Sequence, residues 1–74
     1  MEAKRISPSI ELGNRISTFR KQRGIALEKL AYGMGISKGN LSDIENGKRD
    51  PRFSTLSRIA QGLGMSVSQL LKGL

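Results

Sequence analysis

Four residues, Gly33-Met34-Gly35-Ile36, stand between two short stretches of helical periodicity and oblige the chain to turn sharply. Glycine tolerates the positive φ that a tight connection between helices requires, so the pair Gly33 and Gly35 predicts a helix, a turn and a second helix. The stretch after the turn runs from Ser37 to Asn46. Ser37 is suited to cap its start and Gly47 to end it. Leu41 and Ile44 lie three apart and share the face that packs inward, which leaves Lys38, Gly39, Ser42, Asp43 and Asn46 on the opposite, polar face. The stretch before the turn, Ala26 to about Tyr32, directs Leu27, Leu30 and Ala31 inward. Ala31 is small enough to let the two helices cross closely, and Met34 and Ile36 plug the turn into the core.

The rest of the chain is read in the same way. Ser7-Pro8 pairs a capping residue with a proline at the first helical position, opening a first helix to about Arg23, before Gly24. Leu12, Ile16 and Phe19 form its buried stripe. Arg15, Arg20, Lys21 and Arg23 make its second half basic, in large part as a solvated charged face and with the sign that suits the helix dipole. Ile25 is expected to be buried in the link, and Tyr32 half-buried at the surface. After Gly47 a loop, Lys48-Arg49-Asp50-Pro51-Arg52, holds three positive charges. Leu56, Ile59, Ala60 and Leu63 describe a fourth helix ended by Gly62 or Gly64, and Ser66-Val67-Ser68-Gln69 has the form of a capping box opening a fifth. No strand pattern occurs. The fold predicted is all-α, five short helices around one core, with residues 1–74 as a single domain, 27–46 as its helix-turn-helix and 1–6 as a flexible arm carrying Lys4 and Arg5.

Composition limits what such a domain can do. Cysteine and histidine are absent, which excludes disulfides, the usual zinc sites and histidine base catalysis. No paired carboxylates, phosphate-cradling glycine loop or metal-ligand cluster suggests an enzyme, and no cofactor or metal is expected. No apolar run is long enough to span a membrane and no signal peptide opens the chain, so a cytoplasmic protein is expected. Thirteen Lys and Arg against six Asp and Glu give a formal charge of +7, which points to a polyanionic partner. Two Phe and one Tyr are too few for a base-stacking platform, which favours duplex DNA over single strands. The polar face of the third helix is the expected DNA-reading surface.

From Gly24 to Leu71 the chain resembles the phage-repressor-like helix-turn-helix family, the Xre-type regulators, which include the lambda and 434 repressors and restriction-modification controller proteins. The resemblance is carried by Leu30-Ala31, Met34-Gly35-Ile36-Ser37, Ile44-Glu45-Asn46-Gly47-Lys48-Arg49, Pro51 with Thr55-Leu56, Ile59-Ala60, Leu63-Gly64 and Leu70-Leu71. It implies a lambda-repressor-like domain whose third helix enters the major groove. Lys38 is then the leading base reader, able to donate to guanine O6 or N7, with Gly39, Asn40, Ser42 and Asp43 beside it. Asp43 either accepts from a cytosine amino group, braces Lys38 or repels wrong bases. Ser37, Asn46, Lys48, Arg49 and Arg52 are implied phosphate contacts, together with backbone amides at the start of the fourth helix. Arg20 and Glu45 are implied to form a structural ion pair. The chain departs from the family at Ala26-Leu27, where relatives place Thr or Ser and then Gln, so a cap and a polar DNA contact are missing.

The function expected is sequence-specific DNA binding in transcription regulation, most simply as a bacterial or phage repressor. A homodimer would place two third helices in successive major grooves of a palindromic operator, with Met65, Val67, Leu70, Leu71 and Leu74 as its dimer patch. An antitoxin or a restriction-modification controller would use the same fold. So would a protein-interaction module whose basic face is merely solvated, with a toxin or polymerase as partner.

Overall fold

The computed structural model describes residues 7–74, and the basic arm expected over residues 1–6 lies outside the described residues. Five helices follow one another: α1 Pro8–Gln22, α2 Leu27–Gly33, α3 Lys38–Glu45, α4 Phe53–Gly62 and α5 Val67–Leu71. Their starts follow the local capping chemistry. Ser7 Oγ accepts from the Ile10 amide, Ser37 Oγ from the Asn40 amide, and Ser66 with Gln69 closes a full capping box. Ala26 offers no side-chain cap, and α2 begins without one.

Between α2 and α3 the turn uses only one of its two glycines for backbone reasons. Gly35 has φ +71°, whereas Gly33 completes α2 with an ordinary helical backbone. The Ile36 amide then reaches back to Ala31 O at 2.8 Å, which closes the turn and drives Ile36 into the core.

The core comprises Ile16, Leu30, Ala31, Ile36, Leu41, Ile44, Leu56, Ile59, Ala60, Leu63 and Leu70, with Leu12, Phe19, Ile25, Met34, Met65 and Val67 packed around it. α3 is held between α1 and α2, α4 packs on α2, and α5 bridges α4 and α1. Gly13 sets the approach of α1 to α3. A Cβ there would lie 2.6 Å from Glu45 O and 2.8 Å from Glu45 C, and would also strike Ile44 O. Nothing in the local pattern singles this residue out except that a glycine occupies a helix interior, where alanine would be favoured by about 1 kcal/mol.

Three expectations need correction. The basic half of α1 is not mainly a solvated face, because each of its arginines donates to a backbone carbonyl of another part of the fold. Arg15 Nη1 donates to Leu70 O at 3.3 Å and to Lys72 O; Arg20 Nη1 donates to Ile25 O at 2.9 Å; Arg23 Nε donates to Leu63 O at 2.7 Å while its guanidinium lies over the Phe19 ring. The carbonyls of Leu70, Lys72 and Leu63 lie at helix C-termini, where they lack intrahelical donors and carry the negative end of the dipole, so they attract Arg15 and Arg23. Arg20 instead satisfies a carbonyl of the link before α2. Tyr32 is 71% exposed rather than half-buried, since Leu30 and Ala31 occupy the inner face of α2. Leu70, expected in a dimer patch, has no exposed surface and completes the core between α5 and α1. Met65, Val67 and Leu71 are partly buried against that core, and only Leu74 of the expected patch is open, at the C-terminal end of the chain.

Candidate nucleic-acid interface

The start of α3 is free at the surface. Ser37 caps the helix through its oxygen, at 3.1 Å from the Asn40 amide, and keeps its own proton for an outside acceptor. Lys38 and Gly39 are both exposed, and a Cβ built on Gly39 would meet nothing within 4 Å. Glycine is therefore not demanded there by the protein's own packing, and the backbone at this point is open to close approach from outside.

The other polar residues of α3 are placed less uniformly than a single reading face requires. Asn40 is half-buried, with its Oδ1 enclosed and without a protein partner among the described residues. It lines a polar recess of about 340 Å³ with Arg49, Asp50, Pro51, Arg52 and Thr55, so it faces the loop before α4. Asn46 folds back on α3, its Nδ2 donating at 2.9 Å to Ser42 O, which also accepts from the Asn46 backbone amide. Asp43 does not brace Lys38. Its carboxylate lies 3.9 Å from Arg49, and the partner of Lys38 is Glu28 from α2, at 3.1 Å. Glu28 was not among the expected site residues, because that pairing joins two helices across the turn and leaves no trace in the spacing of either. Its own backbone amide in the first turn of α2, and then the Lys38 ammonium, hold the Glu28 carboxyl below the usual carboxylate range.

The loop from Gly47 to Arg52 and the start of α4 form the second half of the surface. Lys48, Arg49 and Arg52 are exposed. Arg52 stands at the cap position of α4 but provides no side-chain cap, so the first amides of this ten-residue helix are unclaimed by a side chain. Unclaimed amides at the positive end of a helix, beside arginines, make a setting for an anion such as a phosphate. Asp50 also lines this recess, and its carboxylate accepts from Ser9 Oγ.

Beneath the surface, Arg20 and Glu45 fix α3 to α1. Arg20 Nε and Nη2 donate to Glu45 Oε2 and Oε1 at 2.7 and 3.0 Å, in a fork in which both side chains are about nine-tenths covered. The hydrogen bond to Glu45 raises the pKa of Arg20 further above its already high value. This pair is the floor on which the exposed helix rests, and it is unavailable to a ligand.

Among the described residues no group of acidic, cysteine or histidine side chains is arranged to hold a metal, and no helix is long and apolar enough to cross a membrane.

Comparison with known proteins gives a consistent picture. Residues 16–70 match the helix-turn-helix family. The transcriptional regulator DdrOP3 of Deinococcus deserti is 36% identical over 64 residues, covering 86% of this chain and 50% of that protein. The immunity repressor of Bacillus phage phi105 is 37% identical over 60 residues, covering 81% of this chain and 42% of the repressor. The chain thus spans half or less of the length of these two relatives. Among solved structures, the clp gene regulator ClgR from C. glutamicum superposes with a TM-score of 0.87 at 30% identity over 95% of this chain and 90% of that one. The biofilm master regulator SinR, solved in complex with DNA, superposes with a TM-score of 0.75 at 37% identity over 82% of this chain and 98% of that one.

Proposed function

This chain belongs to the helix-turn-helix family, and from that premise we propose that residues 1–74 act as one unit that binds a specific duplex DNA sequence and represses transcription, as a homodimer on a palindromic operator. The observation that carries the reading is a polar recess that joins α3, through Asn40, to the loop and uncapped start of α4, through Arg49, Arg52 and Thr55, with Lys38 and Gly39 exposed at the start of α3. Lys38 reads a base, Gly39 lets the backbone come close, and Ser42 and Asp43 lie next along the groove. Ser37, Lys48, Arg49, Arg52 and the α4 amides hold phosphates and so set the register. Asn40 and Asn46 take secondary parts, since both are partly engaged within the protein. The relatives support DNA binding in regulation: one is named as an immunity repressor, and another has been solved in complex with DNA.

Half-sites one helical turn apart, about 34–36 Å, would let two α3 helices enter successive major grooves. Met65, Val67, Leu71 and Leu74 are the apolar residues left to join the two copies once Leu70 is assigned to the core. Selection from a random duplex pool at near-physiological salt, followed by sequencing of the retained fraction, tests the whole reading. A two-fold symmetric motif is the expected outcome and gives the half-site spacing directly. Retention that selects no motif and disappears as salt rises would leave only non-specific charge binding and overturn it.

A further inference from the structure

Lys38 is the only cation in α3, and its ammonium does not stand free. Glu28 Oε2 lies 3.1 Å from Lys38 Nζ, joining the first turn of α2 to the first residue of α3 across the glycine turn. Both side chains are about half exposed, and exposed pairs of this kind add little to folding stability. Stability therefore does not explain a carboxylate at the exposed start of α3. The other acid of this region, Asp43, is turned to Arg49 and does not compete for the ammonium.

Resting on the reading of α3 as the base-reading helix, we infer that Glu28 is a positioning residue for recognition: it holds the Lys38 ammonium toward the bases and repels the backbone of any duplex that offers Lys38 no acceptor. A lysine ammonium has three N–H donors on a flexible stem. With one donor given to Glu28, two remain, matching the N7 and O6 acceptors that guanine presents in the major groove. Without Glu28 the same ammonium turns as readily to a phosphate, which carries no sequence information. The carboxylate also raises the free energy of every complex in which phosphates approach it, and only a duplex that engages Lys38 fully offsets that repulsion. Affinity for DNA in general is lowered, and preference for one base pair is raised.

The test measures binding of the intact protein to a selected duplex, to its single base-pair variants and to an unrelated duplex, for the wild type, Glu28→Gln, Lys38→Ala and the double variant. Glu28→Gln is expected to keep the wild-type thermal midpoint, to bind the unrelated duplex roughly 2–5-fold more tightly, and to lose discrimination by a similar factor at a single base pair. That base pair is the one at which Lys38→Ala loses discrimination. In the Lys38→Ala background, Glu28→Gln should still tighten general binding and should no longer change discrimination. Discrimination unaltered by Glu28→Gln, or reduced evenly at every position, would overturn the inference while leaving Lys38 as the reader. A Lys38→Ala variant that weakens all sequences alike would instead remove the reading on which the inference rests.

Discussion

Lys38 and Arg52 carry the same charge in contrasting settings, and substituting each should give different results. Lys38 opens the exposed helix and is held by Glu28, so Lys38→Ala should cost about 1–3 kcal/mol on the preferred duplex and relax preference at one base position. Arg52 stands beside the uncapped amides of α4, so Arg52→Ala should weaken all duplexes alike and flatten the salt dependence by about one unit. Titrations of binding against salt on matched and mismatched duplexes separate the two. Glu28 gives a third check at this scale. Its carboxyl is held below the usual range, so the charge it shares with Lys38 is present above that range and is lost as pH falls through the lowered value. Carboxyl-carbon NMR should find Glu28 titrating below a free glutamate, and Lys38→Met should move it part of the way back. The exposure of Lys38 and Gly39 was legible in the periodicity of Leu41 and Ile44. The partners were not: Lys38 with Glu28, Asp43 with Arg49 and Asn46 with Ser42 are choices made by side-chain reach in three dimensions, and charge alone allowed several pairings.

At the scale of elements, signals a few residues apart gave the helices almost to their ends. Ser7 with Pro8, Ser37, and Ser66 with Gln69 act within one turn, so a reader of the chain sees both partners at once. The same locality makes the weak start of α2 visible. Ala26 has the extended backbone of a capping residue, φ −67° and ψ 149°, without the oxygen, so Ala26→Ser should stabilise the fold by about 1 kcal/mol in urea denaturation. Gly13 is the opposite case, because its constraint comes from the carbonyl end of a helix some thirty residues away. Helix propensity alone predicts that Gly13→Ala stabilises α1 by about 1 kcal/mol. The contact predicts that it destabilises, by about 1–3 kcal/mol, because the obstacle is backbone and cannot swing aside. The same denaturation measurement decides between the signs. A net loss should also weaken DNA binding beyond the fraction unfolded, since α1 is the surface on which α3 is seated.

For the whole molecule, the class of fold followed from patterning, whereas the fastening of its parts did not. Five periodic segments without a strand leave few arrangements, and the glycine turn fixes which two helices are adjacent and crossed. What the chain could not disclose is that Arg15, Arg20 and Arg23, three of the four cations of α1 and its cap, point toward the end of α5, the link before α2 and the end of α4, with Arg20 also gripping Glu45. Charge counted along a sequence does not say whether it faces outward. Removing Arg20 by Arg20→Ala should cost about 3 kcal/mol, because Glu45 is left covered and unpaired, and a domain of this size has only about 3–5 kcal/mol in hand. Those three arginines also make the protein's electrical and mechanical properties separable. Lysine has the same charge but lacks the planar fork, so replacing all three by lysine keeps the formal +7 while loosening every joint that the guanidinium groups close. Such a protein should show an unchanged salt dependence of DNA binding at low temperature and a markedly lower melting point. It would be as attractive to DNA as before, and less able to keep its shape on arrival.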